Sequence, residues 1–241
     1  MFAAVFVLTL VTAYAAEMPS YINVCGRNDP NLNQCIVDNI NNLRSKICEG
    51  LTDLGLPPLE PLNIKKLVIS ETSNSKIYIN DVQITGLCDY VINSFTADLD
   101  KLNFDIDLSL NRMYLNGTYD IDVHILVPIA HKAPIYLTTD AASMKASAHA
   151  EMANKGDKKH MYVSEVKTNI DVKGYDAKYG FNENELGQLG QILGGLIGSN
   201  QEEFIERIIP SLEEEVSKWI ISIFNGLFKK FSYDEIFPDR T

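Results

Sequence analysis

The side chains that most often do chemistry in proteins are scattered along this sequence and form no known catalytic motif. The chain contains neither a G-x-S-x-G nucleophile elbow nor an H-E-x-x-H zinc motif. None of its histidines is followed, two to four positions later, by a second histidine or a cysteine that could share a metal ion. The four histidines are His124, His131, His149 and His160. These observations predict a protein that is not an enzyme and that uses neither a metal ion nor a cofactor.

Two pairs of aspartates, Asp105 with Asp107 and Asp120 with Asp122, have the spacing at which carboxylates stand side by side on a strand. Such a pair could serve in general acid–base catalysis. Both pairs, however, alternate with large apolar residues, and His124 continues the second alternation. A half-buried strand with this pattern turns its charged side chains to solvent. We therefore interpret these groups as a solvated surface rather than as an active site.

The four cysteines predict disulfide chemistry if the chain is exported, because oxidising compartments favour bridges. Cys25 and Cys35 enclose a polar loop with an Asn-Asp-Pro turn that brings its ends together. Closing a loop of about ten residues is worth roughly 2–3 kcal/mol. Cys48 lies on the apolar stripe of a predicted helix, so both a buried free thiol and a bridge to Cys88 are consistent with the sequence.

Two amphipathic helices are predicted. The first covers Gln34–Leu54 and is stopped by Pro57-Pro58. The second, Asn200–Phe231, has a capping-box start at Ser199 or Asn200, and Pro210 either begins its main segment or kinks it. From Pro210 onwards this helix would be roughly 33 Å long. Its apolar stripe, with steps of three and four, is Ile205, Ile209, Leu212, Val216, Trp219, Ile220, Ile223, Leu227 and Phe231.

Between the helices the apolar period changes to two, which predicts five or six long antiparallel strands with one dry face. A phase slip at Asn80-Asp81 predicts a bulge or a tight turn, Asn116-Gly117 a hairpin turn, and Asn154–Lys159 another turn. The strand Ala142–Met152 carries small alanines on its dry face, which leaves volume for a helix or a ligand. Gly187–Ser199 is predicted to be a connector, with a mobile apolar flap as the alternative. The fold class is α+β, with helices gathered against one sheet face.

The composition is that of an exported, acidic protein. Residues 1–15 end in a small-x-small cleavage site after an apolar run and are predicted to be a signal peptide, leaving residues 16–241 as a single domain. With 46% hydrophobic residues this domain can bury a large core, and no other segment is long and apolar enough for membrane insertion. The formal charge of −11 disfavours nucleic acid as a partner. Asn116-Gly117-Thr118 is an N-glycosylation sequon at the predicted turn.

The order of short motifs along the mature chain resembles the insect takeout / juvenile hormone-binding protein family. Each motif is weak alone, but together they cover essentially the whole mature chain. The matching segments are Pro19–Cys35 with its two cysteines, Gly50–Ile64 with its P-P-L-E-P-L run, Ile84–Leu87, Gly117–Tyr119, Leu126–Pro128 and Tyr233–Pro238. The absence of cysteine from the C-terminal half places the chain nearer the takeout branch, and Val127–Leu137 departs from the glycine-rich segment that the family often has there.

The resemblance implies a long C-terminal helix wrapped by a highly curved antiparallel sheet, the tubular super-roll of bactericidal permeability-increasing-type proteins. It also implies an internal tunnel for one apolar ligand, such as a juvenile hormone-like terpenoid or a long-chain lipid. The dry-face residues are the ones expected to line it, and Tyr119 could direct its hydroxyl to a polar end of the ligand. The expected lining is Phe104, Ile106, Leu108, Tyr119, Ile121, Val123, Met144, Ala146, Ala148, Met161, Val163, Trp219, Ile220 and Phe224.

Two other classes of protein are consistent with the residues alone. A lipid-active enzyme would need a nucleophile–base pair that the spacing does not reveal. A secreted structural or signalling protein would have a filled core, and periodicity alone does not distinguish a filled core from a lined tunnel. For a carrier, the sequence leaves open whether a receptor or an acceptor membrane takes over the ligand.

Overall fold

The structure is a computed structural model that describes residues 18–124, 128–180 and 201–241. The predicted signal peptide, the predicted Gly187–Ser199 connector and the predicted capping residues Ser199 and Asn200 lie outside these ranges. Both disulfides expected or considered from the sequence are present, Cys25–Cys35 and Cys48–Cys88.

The α-helices of the described ranges lie towards the two ends of the chain. In chain order these are α1 (Leu32–Asn42), α2 (Arg44–Glu49), α3 (Gln201–Phe228) and α4 (Tyr233–Ile236), and a short 3-10 helix lies at Leu87–Asp89. No helix within the described ranges combines the length and the apolar character that crossing a membrane requires.

The predicted first helix was wrong in its extent. The chain forms two helices separated at Leu43, and the second ends at Glu49 rather than at Leu54. Gly50 follows with a φ of 91°, a left-handed conformation that glycine adopts without strain and that ends a helix. The next residues turn back on themselves through a bridge between Leu51 and Leu56.

The strands form one antiparallel sheet. They are β1 (Leu62–Glu71), β2 (Ser75–Thr85), β3 (Val91–Asp98), β4 (Asn103–Leu110), β5 (Met113–His124), β6 (Pro128–Lys155) and β7 (Lys158–Tyr179). The 28-residue β6 organises the sheet, because one of its edges pairs with β5 along its first part and with β4 along its second part. Its other edge pairs with β7. Beyond β5 lie β2 and β1, and beyond β4 lies β3.

The predicted hairpin at Asn116-Gly117 was wrong, because both residues lie in the middle of β5. The glycine serves packing instead of a turn: a Cβ on Gly117 would lie 2.7 Å from Cγ2 of Ile79. The predicted bulge was correct, since the β2–β5 register shifts between Asn80 and Gln83 and Asp81 has a φ of 52°. The predicted turn after β6 was also correct and centres on Gly156.

Helix α3 packs against both β7 and β1, which are edge strands of the described sheet. Its side chains hydrogen-bond to main-chain groups of both strands. Ser211 Oγ accepts from the Val68 amide at 2.8 Å, and Glu213 Oε1 accepts from the Ile170 amide at 2.7 Å. The helix therefore joins the two edges of the curled sheet and satisfies amides that a free edge would expose.

Pro210 lies inside α3 rather than at its first residue, and it is exposed. The helix ends at Phe228, three residues before the end predicted from the stripe. Phe231 is nevertheless 1% exposed, because it packs with Leu51 and Leu54 in a small separate cluster.

Candidate functional site

The interior next to α3 divides into two apolar clusters. The first cluster joins β1, β2, β5 and the beginning of β6 to α3, and it includes Ile79, Ile121, Ile135 and Val216. The second cluster lies near the Cys25–Cys35 bridge and joins the β6–β7 hairpin to the end of the chain. Its buried members are Cys25, Leu32, Ala150, Met161, Val163, Val166, Phe228 and Phe237. Ile220 of α3 contacts both clusters.

A row of apolar residues lies between these clusters on β3, β4 and β6. Across the sheet, Ile92 pairs with Leu108 and Leu108 with Met144, while Phe95 pairs with Ile106 and Ile106 with Ala146. Directly paired residues of antiparallel strands project on the same face. We call these six residues the inter-cluster face; they are Ile92, Phe95, Ile106, Leu108, Met144 and Ala146.

The inter-cluster face is turned towards the interior; Ala146 is buried, but other parts of the face are incompletely covered. Two residues further along their strands, and therefore on the same face, Phe104 and Ala148 pack into the second cluster. Met144 packs against the first cluster, whereas Ile106 and Leu108 are only half-buried and belong to neither cluster. Large aliphatic side chains in a filled core would be covered on all sides. Among the described residues, the covering of this stretch is incomplete.

The structure distributes the predicted lining residues over three environments. Ile121 and Val123 are 1% and 0% exposed within the first cluster, where Trp219 and Ile220 are partly buried. Ile106, Leu108, Met144 and Ala146 form most of the inter-cluster face. In the second cluster lie Phe104, Ala148, Met161 and Val163, and the Phe104 ring stacks on Phe237 with centroids 6.4 Å apart. Phe224 stands apart from these groups, 43% exposed and tilted against Phe228.

A polar pair is embedded in the first cluster. Tyr119 of β5 is 4% exposed, and its hydroxyl lies 2.8 Å from Nδ1 of His131 on β6. The two rings stack with centroids 5.7 Å apart. His131 is directly opposite Ile121 and therefore projects on the inner face, together with Tyr119. This pair presents a phenol hydroxyl and an imidazole ring to the apolar interior.

Two parts of this arrangement are missing from the sequence-based prediction. Ile92 and Phe95 are not found because a bulge between Ile92 and Ser94 interrupts the alternation of β3. In the sequence, His131 is one of four scattered histidines, although its inward position could be found by continuing the alternation of β5 into the paired strand. An isoleucine, a phenylalanine or a histidine does not indicate a site by itself; the register of the strands is needed as well.

The carboxylates and the remaining histidines make ordinary surface and structural contacts. Ser147 Oγ donates to Asp105 at 2.5 Å, Lys132 pairs with Asp120 at 2.7 Å, and His149 Nδ1 lies 2.7 Å from Asn103 Oδ1. Within residues 18–124, 128–180 and 201–241, no three metal-binding side chains come close enough to hold an ion together.

A groove of about 580 Å³ runs along the surface between β1 and α3. It is lined mainly by charged side chains, including Lys65, Lys66 and Lys218. Lys218 pairs with Glu214 at 2.7 Å and with Glu215 at 2.8 Å, and these hydrogen bonds raise its pKa. Because its lining consists mainly of charged side chains, the groove offers little apolar surface to a hydrophobic ligand. We therefore do not regard it as a continuation of the inter-cluster face.

A curled antiparallel sheet whose two edges are joined by one long helix is the tubular fold of lipid-binding proteins. The chain belongs to the haemolymph juvenile hormone binding protein family, whose model matches residues 3–238. This family consists of ligand-binding carriers, so the chain is related to carriers of hydrophobic molecules rather than to enzymes.

Two similar proteins match this chain over most of its length. The crystal structure of Epiphyas postvittana Takeout 1 superposes with a TM-score of 0.68 at 20% identity, covering 89% of this chain and 99% of that one. A proposed beta-carotene-binding protein of Schistocerca gregaria is 18% identical over 234 residues, or 91% of this chain and 89% of its own length. The structural match confirms the expected fold.

Proposed function

We propose that this protein is a secreted carrier that holds one small hydrophobic molecule, a juvenile hormone-like terpenoid or a long-chain lipid, in a tunnel next to α3. The observation that supports this most is the inter-cluster face. Half-buried Ile106 and Leu108 lie on the inward side of the sheet between two packed clusters. An apolar ligand in contact with them would remove from water the surface that the protein itself leaves uncovered.

Burial of ligand surface is sufficient to drive binding. A ligand of about fifteen carbons gains roughly 12 kcal/mol at about 0.8 kcal/mol per carbon. Loss of translational and rotational freedom costs at least about 4 kcal/mol. The difference corresponds to micromolar affinity or somewhat tighter.

The Tyr119–His131 pair would orient the ligand. A phenol can donate one hydrogen bond and accept others, so the Tyr119 hydroxyl can bind a ligand group while it remains paired with His131. A hydroxyl, carbonyl or epoxide at one end of an apolar chain would be bound there, and the hydrocarbon would extend along the inter-cluster face. No step of this function breaks a covalent bond.

Two features support secretion. Residues 1–15 have the pattern of a signal peptide, and all four cysteines are paired in two disulfides. Disulfides of this kind persist in oxidising compartments. The proposed carrier would therefore act in an extracellular fluid.

The decisive experiment is organic extraction of the purified full-length protein, followed by mass spectrometry of the extract. We expect a stoichiometric apolar molecule, and displacement of a bound fluorescent apolar dye by long-chain alcohols or terpenoid esters. A protein from which nothing can be extracted and which binds no dye would have a filled core, and the carrier function would be wrong. Turnover of an added labelled ester would instead indicate a lipid-active enzyme.

A further inference from the structure

The outer face of the sheet carries two exposed tyrosines on either side of the sequon asparagine. Asn116 is exposed in the middle of β5, directly opposite Tyr136 on β6. Tyr114 lies two residues before Asn116 and therefore on the same face. Tyr114 is 45% exposed and Tyr136 is 50% exposed.

These rings have no partner among the described residues. Neither phenol makes a hydrogen bond to a described residue, and neither ring takes part in an aromatic or cation–π contact there. Other tyrosines on the surface are used: the Tyr162 hydroxyl donates to Glu151 at 2.5 Å, and Lys66 lies over the Tyr78 ring. The two exposed rings flank Asn116 and offer apolar contact area to a group attached there.

The spacing fits a sugar attached to Asn116. Side chains directly opposite each other on antiparallel strands have Cβ atoms roughly 4.5–5.5 Å apart. A sugar ring linked to Asn116 would therefore lie within reach of the Tyr136 ring on one side and the Tyr114 ring on the other. One face of N-acetylglucosamine is made of C–H groups, which pack well on the face of an aromatic ring.

We propose that Asn116 carries an N-linked glycan whose first sugar packs on Tyr136 and Tyr114. In the transfer, the Asn116 side-chain nitrogen forms a bond to the anomeric carbon of the first sugar and loses a proton. The bond from that carbon to a lipid-linked pyrophosphate breaks, and the lipid pyrophosphate leaves. Thr118 provides the hydroxyl that the sequon needs.

The position is compatible with both the modification and the folded sheet. Transfer acts on the chain before β5 is paired, and in the folded protein the Asn116 side chain is on the solvent side. Gly117 occupies the inner face, so the attached sugar does not disturb the first cluster. The proposal requires entry into the secretory pathway but does not depend on ligand binding.

The first test is intact-mass analysis of the full chain recovered from the medium of secreting insect cells, before and after enzymatic removal of N-glycans. We expect a glycan mass on the wild type and on Thr118→Ser, and none on Thr118→Ala or Asn116→Gln. A wild-type chain without glycan would overturn the proposal. So would a chain that is recovered only from the cytosol and carries no glycan, because the glycan is attached only in the secretory pathway.

The second test concerns packing on the rings. Removal of the glycan should lower the Tm of the wild type by a few degrees, and this difference should disappear in Tyr136→Ala and diminish in Tyr114→Ala. Tyr162→Ala, which alters an exposed tyrosine elsewhere on the sheet, should retain the full difference. An equal difference in all variants would show that the sugar does not contact the rings. Binding of another protein to the unglycosylated patch, with no glycan on the wild type, would also contradict the proposal.

Discussion

The side-chain amide of Asn225 makes both of its hydrogen bonds with the main chain of Val163. Its oxygen accepts from the Val163 amide at 2.7 Å, and its nitrogen donates to the Val163 carbonyl at 3.0 Å. These are the two bonds that a neighbouring strand would make with an edge residue of β7. Asn225 on α3 thus takes the place of a strand where the sheet ends.

Replacing Asn225 with leucine should destabilise the protein by about 3 kcal/mol. The variant keeps the size of the side chain but leaves a buried donor and a buried acceptor of Val163 unpaired, and each unpaired group costs roughly 1–3 kcal/mol. The free energy of unfolding, measured by urea titration, tests this. Ser222→Ala on the exposed side of the same helix should change stability by less than about 0.5 kcal/mol. Equal urea-unfolding midpoints for the two variants would contradict the role of Asn225 as the hydrogen-bonding partner of the Val163 main chain.

The strands and the long helix could be predicted because they follow local periodicity, and the alternation around Asp105 and Asp120 corresponds to real strands. Gly117 was misread because the same Asn-Gly pair that favours a turn also allows the close approach of Ile79. Asn225 could not be identified at all, since its partner is 62 residues away and is a main-chain group. The incomplete covering of Ile106 and Leu108 likewise depends on how the strands are arranged in the curled sheet, which no local pattern records.

Loss of the Cys48–Cys88 bridge should cost more than loss of Cys25–Cys35. The first closes a loop of 40 residues and the second a loop of 10. Chain entropy predicts roughly 4 and 3 kcal/mol respectively. The measurement is thermal unfolding of the paired serine variants, Cys48→Ser/Cys88→Ser and Cys25→Ser/Cys35→Ser. A larger loss for the shorter loop would show that local packing, and not loop closure, determines the contribution.

Acid should weaken the C-terminal end of the chain through Glu235. Its hydrogen bond with Lys158, followed by those with the amide and hydroxyl of Ser232, lowers its pKa to about 2. Because the folded-state pKa lies below the usual value of 4.5, the contribution is complete above pH 4.5 and is lost as the pH falls towards 2. The difference in unfolding free energy between wild type and Glu235→Gln should therefore shrink over this window.

A matched control for Glu235 is the exposed Glu206 of α3. Urea titrations at several pH values between 6 and 2 should show no comparable change in the difference between the wild type and Glu206→Gln. A difference for Glu235→Gln that stays constant down to pH 2 would mean that the carboxylate is not held by Lys158 in solution.

The contribution of the Tyr119–His131 pair to ligand affinity should depend on the polar group at the end of the ligand. Tyr119→Phe removes the hydroxyl that would bind the ligand, at a cost of roughly 0.5–1.5 kcal/mol, or about two- to tenfold in Kd. His131→Ala removes the ring that lies 2.8 Å from this hydroxyl and helps to orient it, so it should have a similar effect. Dye displacement with a long-chain alcohol and with the alkane of the same length separates the loss of the polar contact from a change in packing. The alkane should bind all three proteins equally, and an equal loss for both ligands would indicate a general change in packing.

Ala146 and Ala148 should respond differently to the same enlargement. Ala146 lies on the inter-cluster face between Ile106 and Thr168, so Ala146→Phe should fill the proposed tunnel while the fold survives. We expect dye affinity to fall at least about tenfold, which corresponds to 1.4 kcal/mol, with an unchanged far-UV spectrum. Ala148 packs in the second cluster, so Ala148→Phe should mainly lower the Tm through overpacking.

Lys145→Phe is the control for this pair, because it places the same ring on the exposed outer face of β6 next to Ala146. It should leave both dye affinity and fold unchanged. If folded Ala146→Phe binds the dye as tightly as Lys145→Phe does, Ala146 does not line the site. The ligand would then have to lie elsewhere along α3. A loss of dye affinity in Ala146→Phe, but not in Lys145→Phe, would instead indicate that the ligand lies between the two clusters.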